Sequence, residues 1–565
     1  MLSHRATTAA TRFLPLMVPL ALACGGDGGS GPDGPVVDCD QTDPVQLAAG
    51  EFVTQDPSEV ACVRIPAAGS AGAEYLYLAI SGAPTESNTG TSTPYRLVGS
   101  AEGQLPTAAV RSRPRVEAAV GPTRAQRFHG RMRSLEQRLA REPHPVRVAG
   151  SARINAKVVP SLGDKRTFSV LKSADASGTS ADDFVSVTGT VKHVGQKVVI
   201  YLDDASPTTG GYDQNDIDQI GSLFDDELYP IDTTAFGRES DVDGDGQVLV
   251  LLTDQVTRLA GCTNGQVVVG FFFALDLFEG EVGSNGAEVF YGLTPDPACS
   301  VDKARAVELL PGVFIHEFQH MISFNQHVLV RNGDAEDTWL NEGLSGYAEE
   351  LGARQVPDAR CVDNDCLTQF GIGDFSNAYD FLFSLEENYL IGPATPPLPL
   401  TEYGGTWLFV RWLGDHFSGT QPLATDLTRK LVQTNRTGAA NVEAVTGEEF
   451  PALITEFHLA NYADDLPGFT PADDRIAYTS WPFRAFWASF HQQKPGVFQR
   501  EYPLDPDVTS GAYETAGSLL AGSGKHVLIE QAPGDPALDF KITRSDGTTV
   551  LPASAAARVA VLRIR

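Results

Sequence analysis

The sequence predicts a multidomain α+β protein, and three observations predict it. A chain of 565 residues is longer than one hydrophobic core sustains, so two to four domains are expected. Short strand-like runs bounded by Gly and Pro occupy both ends, while helical spacing dominates from Pro311 to about Asp465. With 42% hydrophobic and 20% charged residues and no repeat period, the composition is that of globular protein rather than fibre or array.

Taken in order, Arg5 and Arg12 precede a short apolar stretch from Phe13 to Ala23. A bilayer span takes about 20 residues, so residues 1–23 read as an export signal. Leu20-Ala21-Leu22-Ala23-Cys24 resembles a bacterial lipobox with Cys24 as the lipidated residue, and Gly-rich residues 24–35 follow as a tether. A plain signal peptide cleaved nearby is the alternative. Either way the chain is exported, to the bacterial envelope as a lipoprotein or to the medium, and its only membrane attachment is the lipid. The other six cysteines suit an oxidising compartment and fall in sequence-near pairs: Cys39 with Cys62, Cys262 with Cys299, Cys361 with Cys366. A formal charge of −30 excludes nucleic acid as a partner. A monomer is expected.

Residues 36–110 form a β-rich domain, with Glu74 to Ile80 its clearest strand. Residues 111–155 break with the rest: eleven Arg and three Glu lie between Arg111 and Arg153. Phe128, Met132, Leu135 and Leu139 recur there at helical spacing. The segment reads first as a solvated helix joining two domains. The second reading is a pro-segment docked on the acidic body. Residues 156–484 begin with strands, Lys197 to Leu202, Gln247 to Thr253 and the apolar run Gly270 to Phe273, and continue as helices. Residues 485–565 return to short strands, ending in the alternating run Val559 to Arg565, and form a β-sandwich-like module.

The chemistry centres on His316-Glu317-Phe318-Gln319-His320. Residues four apart share a helix face, so both imidazoles can meet one ion, and zinc takes such nitrogens at about 2.0–2.1 Å. Glu317 lies beside them, placed to take a proton from water rather than to ligate. The bland alternative is two core histidines beside a surface Glu. A catalytic zinc needs a third ligand and an open position. An extension with Gly and His after the second His is absent, since Ser323 and Gln326 stand there. His327 would sit about 10 Å along the axis on a continuing helix. Glu342, on a second helix 22 residues after His320, is the better candidate.

HEFQH followed by WLNEG resembles the gluzincin superfamily of zinc peptidases. The longer FIHEFQHMISF and EDTWLNEGLSGYAEEL are most similar to the hyicolysin-type metallopeptidases of bacteria, over about residues 190–480 and most strongly over 311–352. The resemblance implies a zincin-like α+β domain with a two-helix HExxH…E zinc site. It implies His316, His320 and Glu342 as ligands, Glu317 as general base, and protein or peptide as substrate. Related peptidases hold the oxyanion with a Tyr or His from a later helix. Tyr403 takes that place, although the Lys-Gly that usually follows it is missing. His416 and His458 are runners-up for which ordinary hydrogen-bonded positions are the alternative. No GAMEN-like strand of the aminopeptidase branch precedes the motif, so an endopeptidase is expected. Glu349, seven places after Glu342, either steadies a ligand histidine or, with Glu350, is solvated.

Asp241-Val242-Asp243-Gly244-Asp245-Gly246 alternates carboxylates with a turn, as calcium loops do. Leu252 at position twelve and a following strand exclude an EF-hand. Structural calcium on Asp241, Asp243 and Asp245 is expected, with a plain hairpin as alternative. The rival from another class is a cell-surface binding or adhesion lipoprotein with a vestigial or structural zinc site.

Overall fold

Strands from both ends of the chain build one β-sandwich. Its first sheet runs β1 (Phe52–Gln55), β15 (Ala557–Arg563), β3 (Ala73–Ser81), β13 (Gly524–Gln531), β11 (Asp507–Thr509). Its second runs β12 (Tyr513–Leu520), β4 (Ser92–Ala101), β14 (Leu538–Thr543), β2 (Cys62–Ile65). This computed structural model describes residues 39, 42–82, 90–101, 123–142, 159–262, 267–393 and 398–565. The export signal, Cys24 and the tether lie outside them.

The reason for the shared sandwich lies in β3. Every residue of AEYLYLAIS is buried, as in a central strand covered on both faces. Such a strand needs a partner on each side, and both come from the C-terminal end: Leu78 pairs with Ala560 of β15 and with His526 of β13. Between the sheets Tyr77 stacks on Phe540 at 5.3 Å, among Val527, Ile529, Val559 and Leu97. The two terminal modules expected as separate are therefore corrected to one.

A third sheet, of six strands, lies in the chain between these halves, ordered β5 (Lys165–Leu171), β6 (Phe184–Val194), β7 (Val198–Asp203), β8 (Val248–Leu252), β10 (Val289–Gly292), β9 (Gly270–Phe272). β7, β8 and β10 are parallel and nearly wholly buried, and β9 closes the edge antiparallel to β10. The helices are α1 (Arg124–Arg141), α2 (Gln214–Leu223), α3 (Tyr229–Ala235), α4 (Asp254–Arg258), α5 (Lys303–Phe324) and α6 (Thr338–Gln355). After them come α7 (Ile372–Phe383), α8 (Leu400–Phe417), α9 (Thr425–Val432), α10 (Gly438–Thr446), α11 (Phe450–Ala463) and α12 (Phe483–Gln493). α5 packs on β9 and β10, α6 on α5, and α8 on α6. Helices and several sheets in distinct units agree with the α+β expectation. No helix among the described residues is long and apolar enough to cross a membrane.

α1 is not solvated, which corrects the first reading of the Arg-rich segment. It opens with a capping box, Thr123 Oγ1 accepting from the Gln126 N–H and Gln126 Oε1 accepting from the Thr123 N–H. Phe128, Met132, Leu135 and Leu139 are buried, each contributing about 1.5–3 kcal/mol. Arg133 and Glu136 are buried with them. The expected disulfides Cys39–Cys62, Cys262–Cys299 and Cys361–Cys366 are formed.

Candidate active site

α5 begins at Asp302, whose carboxylate accepts the Arg305 N–H at 2.8 Å, and is almost wholly buried from Leu310 onward. Its close approach to the edge strand requires Gly270, where a Cβ would stand 2.4 Å from Val313 Cγ1. One turn apart on this helix, His316 and His320 bring their Nε2 atoms to 3.2 Å. α6 supplies Glu342, whose Oε2 lies 3.4 Å from His316 Nε2 and 3.5 Å from His320 Nε2. A tetrahedral ion with ligands at about 2.0–2.1 Å has ligand separations of about 3.3 Å. The triangle fits zinc. It is one of two groups among the described residues that could hold a metal ion.

The triangle is braced from behind. Glu349 Oε1 lies 2.7 Å from His316 Nδ1, which fixes the ring so that Nε2 faces the triangle. Ser345 Oγ lies 3.1 Å from both ring nitrogens of His320 and donates to Gln319 Oε1. Gly343 lets α6 seat against α8, since a Cβ there would meet the Thr406 carbonyl at 2.9 Å. Glu350 is equally engaged: it accepts from Arg354, Trp407, Arg411 and Trp481. The solvated reading of Glu349 and Glu350 is thus corrected. Two more buried carboxylates act on His316 electrostatically: Asp232 of α3 and Asp374 of α7, both pushed well up by burial.

Glu317 points to the edge strand, its Oε2 accepting the Phe272 N–H at 2.8 Å. Burial pushes its carboxyl up, but His316, His320, Arg133 and His129 together hold it below the usual range. That direction favours the carboxylate form, which can accept a proton. Tyr403 lies on the first turn of α8 and is within the electrostatic reach of Glu342, Arg133 and Glu317. His416 and His458 are elsewhere, their Nε2 atoms at 2.9 Å from the Ala477 carbonyl and 2.8 Å from that of Gly522. His327 lies 3.7 Å from Glu336 Oε2, and the group that could hold a metal does not include it.

Above the site lies α1. Arg133, with a side chain 2% exposed, sets Nε 3.7 Å from Glu342 Oε1 and Nη2 3.9 Å from Glu317 Oε2. The same Nη2 lies 3.2 Å from Glu136 Oε1, and burial raises Glu136 to about 8 despite that partner. His129 is within the field of Glu317 and Glu342, yet burial lowers its pKa. Sequence reasoning missed both residues. Arg133 stands between Met132 and the buried Glu136 on the inward face of α1, a place where a solvated helix has no reason to carry a charge.

At the Asp-rich loop the second candidate group is Asp241, Asp243 and Glu288, with ligand atoms within 4.8 Å of one another. Asp245 is not part of it; its Oδ1 accepts the Gln247 N–H. Glu288 Oε1 accepts from Ser240 Oγ and the Val242 N–H, while its buried Oε2 has no hydrogen-bond partner. Glu288 lies 43 residues from the loop's last Asp, on the strand approach to β10, and no local motif announces it.

Two histidines and a glutamate closing on one point, with an ionised carboxylate beside them, are the equipment of a metal-dependent hydrolase. The chain is 34% identical over 143 residues to the neutral metalloprotease ShpI of Staphylococcus hyicus. That match covers 25% of this chain and 32% of the relative, so the chain spans about a third of the length of the protein it matches. No family model matches. The similarity is to a metallopeptidase, and the His-His-Glu group is of the kind that could hold its metal.

Proposed function

We propose that this chain is an exported zinc-dependent endopeptidase that hydrolyses proteins or peptides outside the cell, attached to the bacterial envelope through Cys24. The observation that carries the reading is the triangle of His316, His320 and Glu342 at zinc-ligand spacing with Glu317 beside it. Zinc bound there would acidify a water and polarise the scissile carbonyl. Glu317 takes the water's proton and delivers it to the leaving amine, and the Phe272 N–H aims its carboxylate. Glu349 keeps the His316 ring in register. Tyr403 donates to the developing oxyanion. β9 is a sheet edge, and an extended peptide can pair along it.

A calcium ion on Asp241, Asp243 and Glu288 is the structural companion of this reading, in place of the set with Asp245. It would tie the loop before β8 to the approach to β10. Calcium at 100 times its Kd should stabilise by about 2.7 kcal/mol, read as a rise in Tm that Glu288→Gln removes.

The test uses casein and zinc. Because α1 overlies the site, the chain is assayed both unaltered and as Arg133→Glu, and products are read by mass spectrometry. Internal cleavage that a chelator abolishes is expected. Trimming from the N-terminus alone would contradict the endopeptidase assignment, and no hydrolysis by either form with one zinc bound would contradict the peptidase.

A further inference from the structure

We propose that α1 is an internal plug of the cleft: it lies where substrate must lie, and Arg133 occupies the approach to Glu317 and Glu342. This rests on the reading of that cleft as a peptidase site. The helix touches both walls. On one, Phe128 meets Phe271 of the edge strand β9 edge-to-face at 5.0 Å. On the other, the Gln137 side chain donates to the carbonyls of Ala335 at 2.9 Å and Glu336 at 2.7 Å, just before α6. Between these anchors Arg133 is the buried cation that faces Glu317 and Glu342.

The chemistry of Arg133 separates a plug from a connecting helix. Its Nε and Nη1 are buried without a hydrogen-bond partner, so its desolvation is offset only by the nearby carboxylates Glu136, Glu317 and Glu342. A buried guanidinium is expensive unless paired. A connecting helix would turn it outward, as α1 does with Arg127. Glu136 travels with the helix, so when the helix leaves Arg133 gives up Glu317 and Glu342 and gains water. The outer fastenings are weak: Arg124 to Asp175 at 2.7 Å and Arg141 to Asp334 at 3.3 Å are exposed pairs.

The topology allows the helix to leave. α1 lies in sequence between β4 and β5, and β4 is held by β12 and β14 while β3 is held by β13 and β15. Displacing α1, or excising it, therefore leaves the sandwich closed by strands from the far end of the chain. The active form is a chain, or two fragments held by those strands, with the cleft empty.

The experiment compares the full chain, Arg133→Glu and Phe128→Ala/Met132→Ala, each zinc-loaded, with a fluorescent peptide hydroxamate that must enter the cleft to bind. Arg133→Glu faces Glu317 and Glu342 with like charge, and the double variant loosens the apolar side; thermal unfolding identifies whichever is folded. At least tenfold tighter probe binding by a folded variant, at unchanged zinc content, is expected. Equal binding, or none in any form, overturns the plug. If a variant gains the probe but no form cleaves casein, the plug stands and the peptidase reading fails.

Discussion

At His316 the ring is gripped from two sides, by the triangle at Nε2 and by Glu349 at Nδ1. Carboxylates behind ligand histidines raise their basicity and fix their tautomer, and their loss typically costs 10–100-fold in metal affinity. Glu349→Ala should therefore weaken zinc binding by about 10–100-fold in a competition titration against a chelator; unchanged affinity would show the contact to be incidental. At this scale the sequence was informative where chemistry is local. His316, Glu317 and His320 follow from a four-residue period on one helix. Glu342 needed resemblance as well as spacing, because a helix returning to a site leaves only an approximate length between the two. Arg133 was out of reach, since its meaning depends on where α1 docks and not on its neighbours in sequence.

Among the elements, the seam between α6 and α8 holds a buried charge cluster of its own. Arg411 is fully buried and donates to Glu350, to Asp415 and to the Tyr347 hydroxyl. Arg411→Ala would leave Asp415 without its buried cation and Glu350 with Arg354 alone, and should cost about 3–5 kcal/mol, read as a lower urea midpoint. Arg411→Met should cost no less if the charge matters more than the volume; recovery to wild-type stability would assign the seam to packing instead. Helix positions were legible here because apolar spacing continues through Trp407, Phe409, Trp412 and Leu413. The second candidate group shows the limit of such reading. The loop Asp241 to Asp245 was visible as a run, but the group's third member, Glu288, arrives from the segment just before β10.

The whole molecule is closed by strands whose partners lie more than 400 residues away, as where Leu78 meets both Ala560 and His526. Such pairing leaves no local pattern, so the strands could be read while their union could not. Deleting residues 507–565 removes both neighbours of β3 and should leave the N-terminal strands unfolded and aggregation-prone. A soluble truncated chain with its full β signal in circular dichroism would restore two separate modules. The sandwich also meets α11 through His458, at 2.8 Å from the Gly522 carbonyl, and His526, at 3.1 Å from that of His458. Burial lowers these histidines to about 4 and about 3. Their folded values lie below the unfolded value of about 6.5, so the unfolded chain binds protons first. Stability is complete above about pH 6.5 and falls as pH drops from there toward 4. Tm should therefore decline between pH 7 and pH 5, and His458→Gln should shrink that decline; an unaltered decline would place the acid-sensitive groups elsewhere.

In the proposed reaction Glu317 performs the proton transfer at a metal held by His316, His320 and Glu342. The measurement is kcat/KM for an internally quenched peptide by Glu317→Gln, in the Arg133→Glu background and at matched zinc content. General-base loss predicts a fall of about 100-fold or more with zinc affinity kept within a few-fold. Hydrolysis at the undiminished rate by the zinc-loaded Gln variant would contradict it.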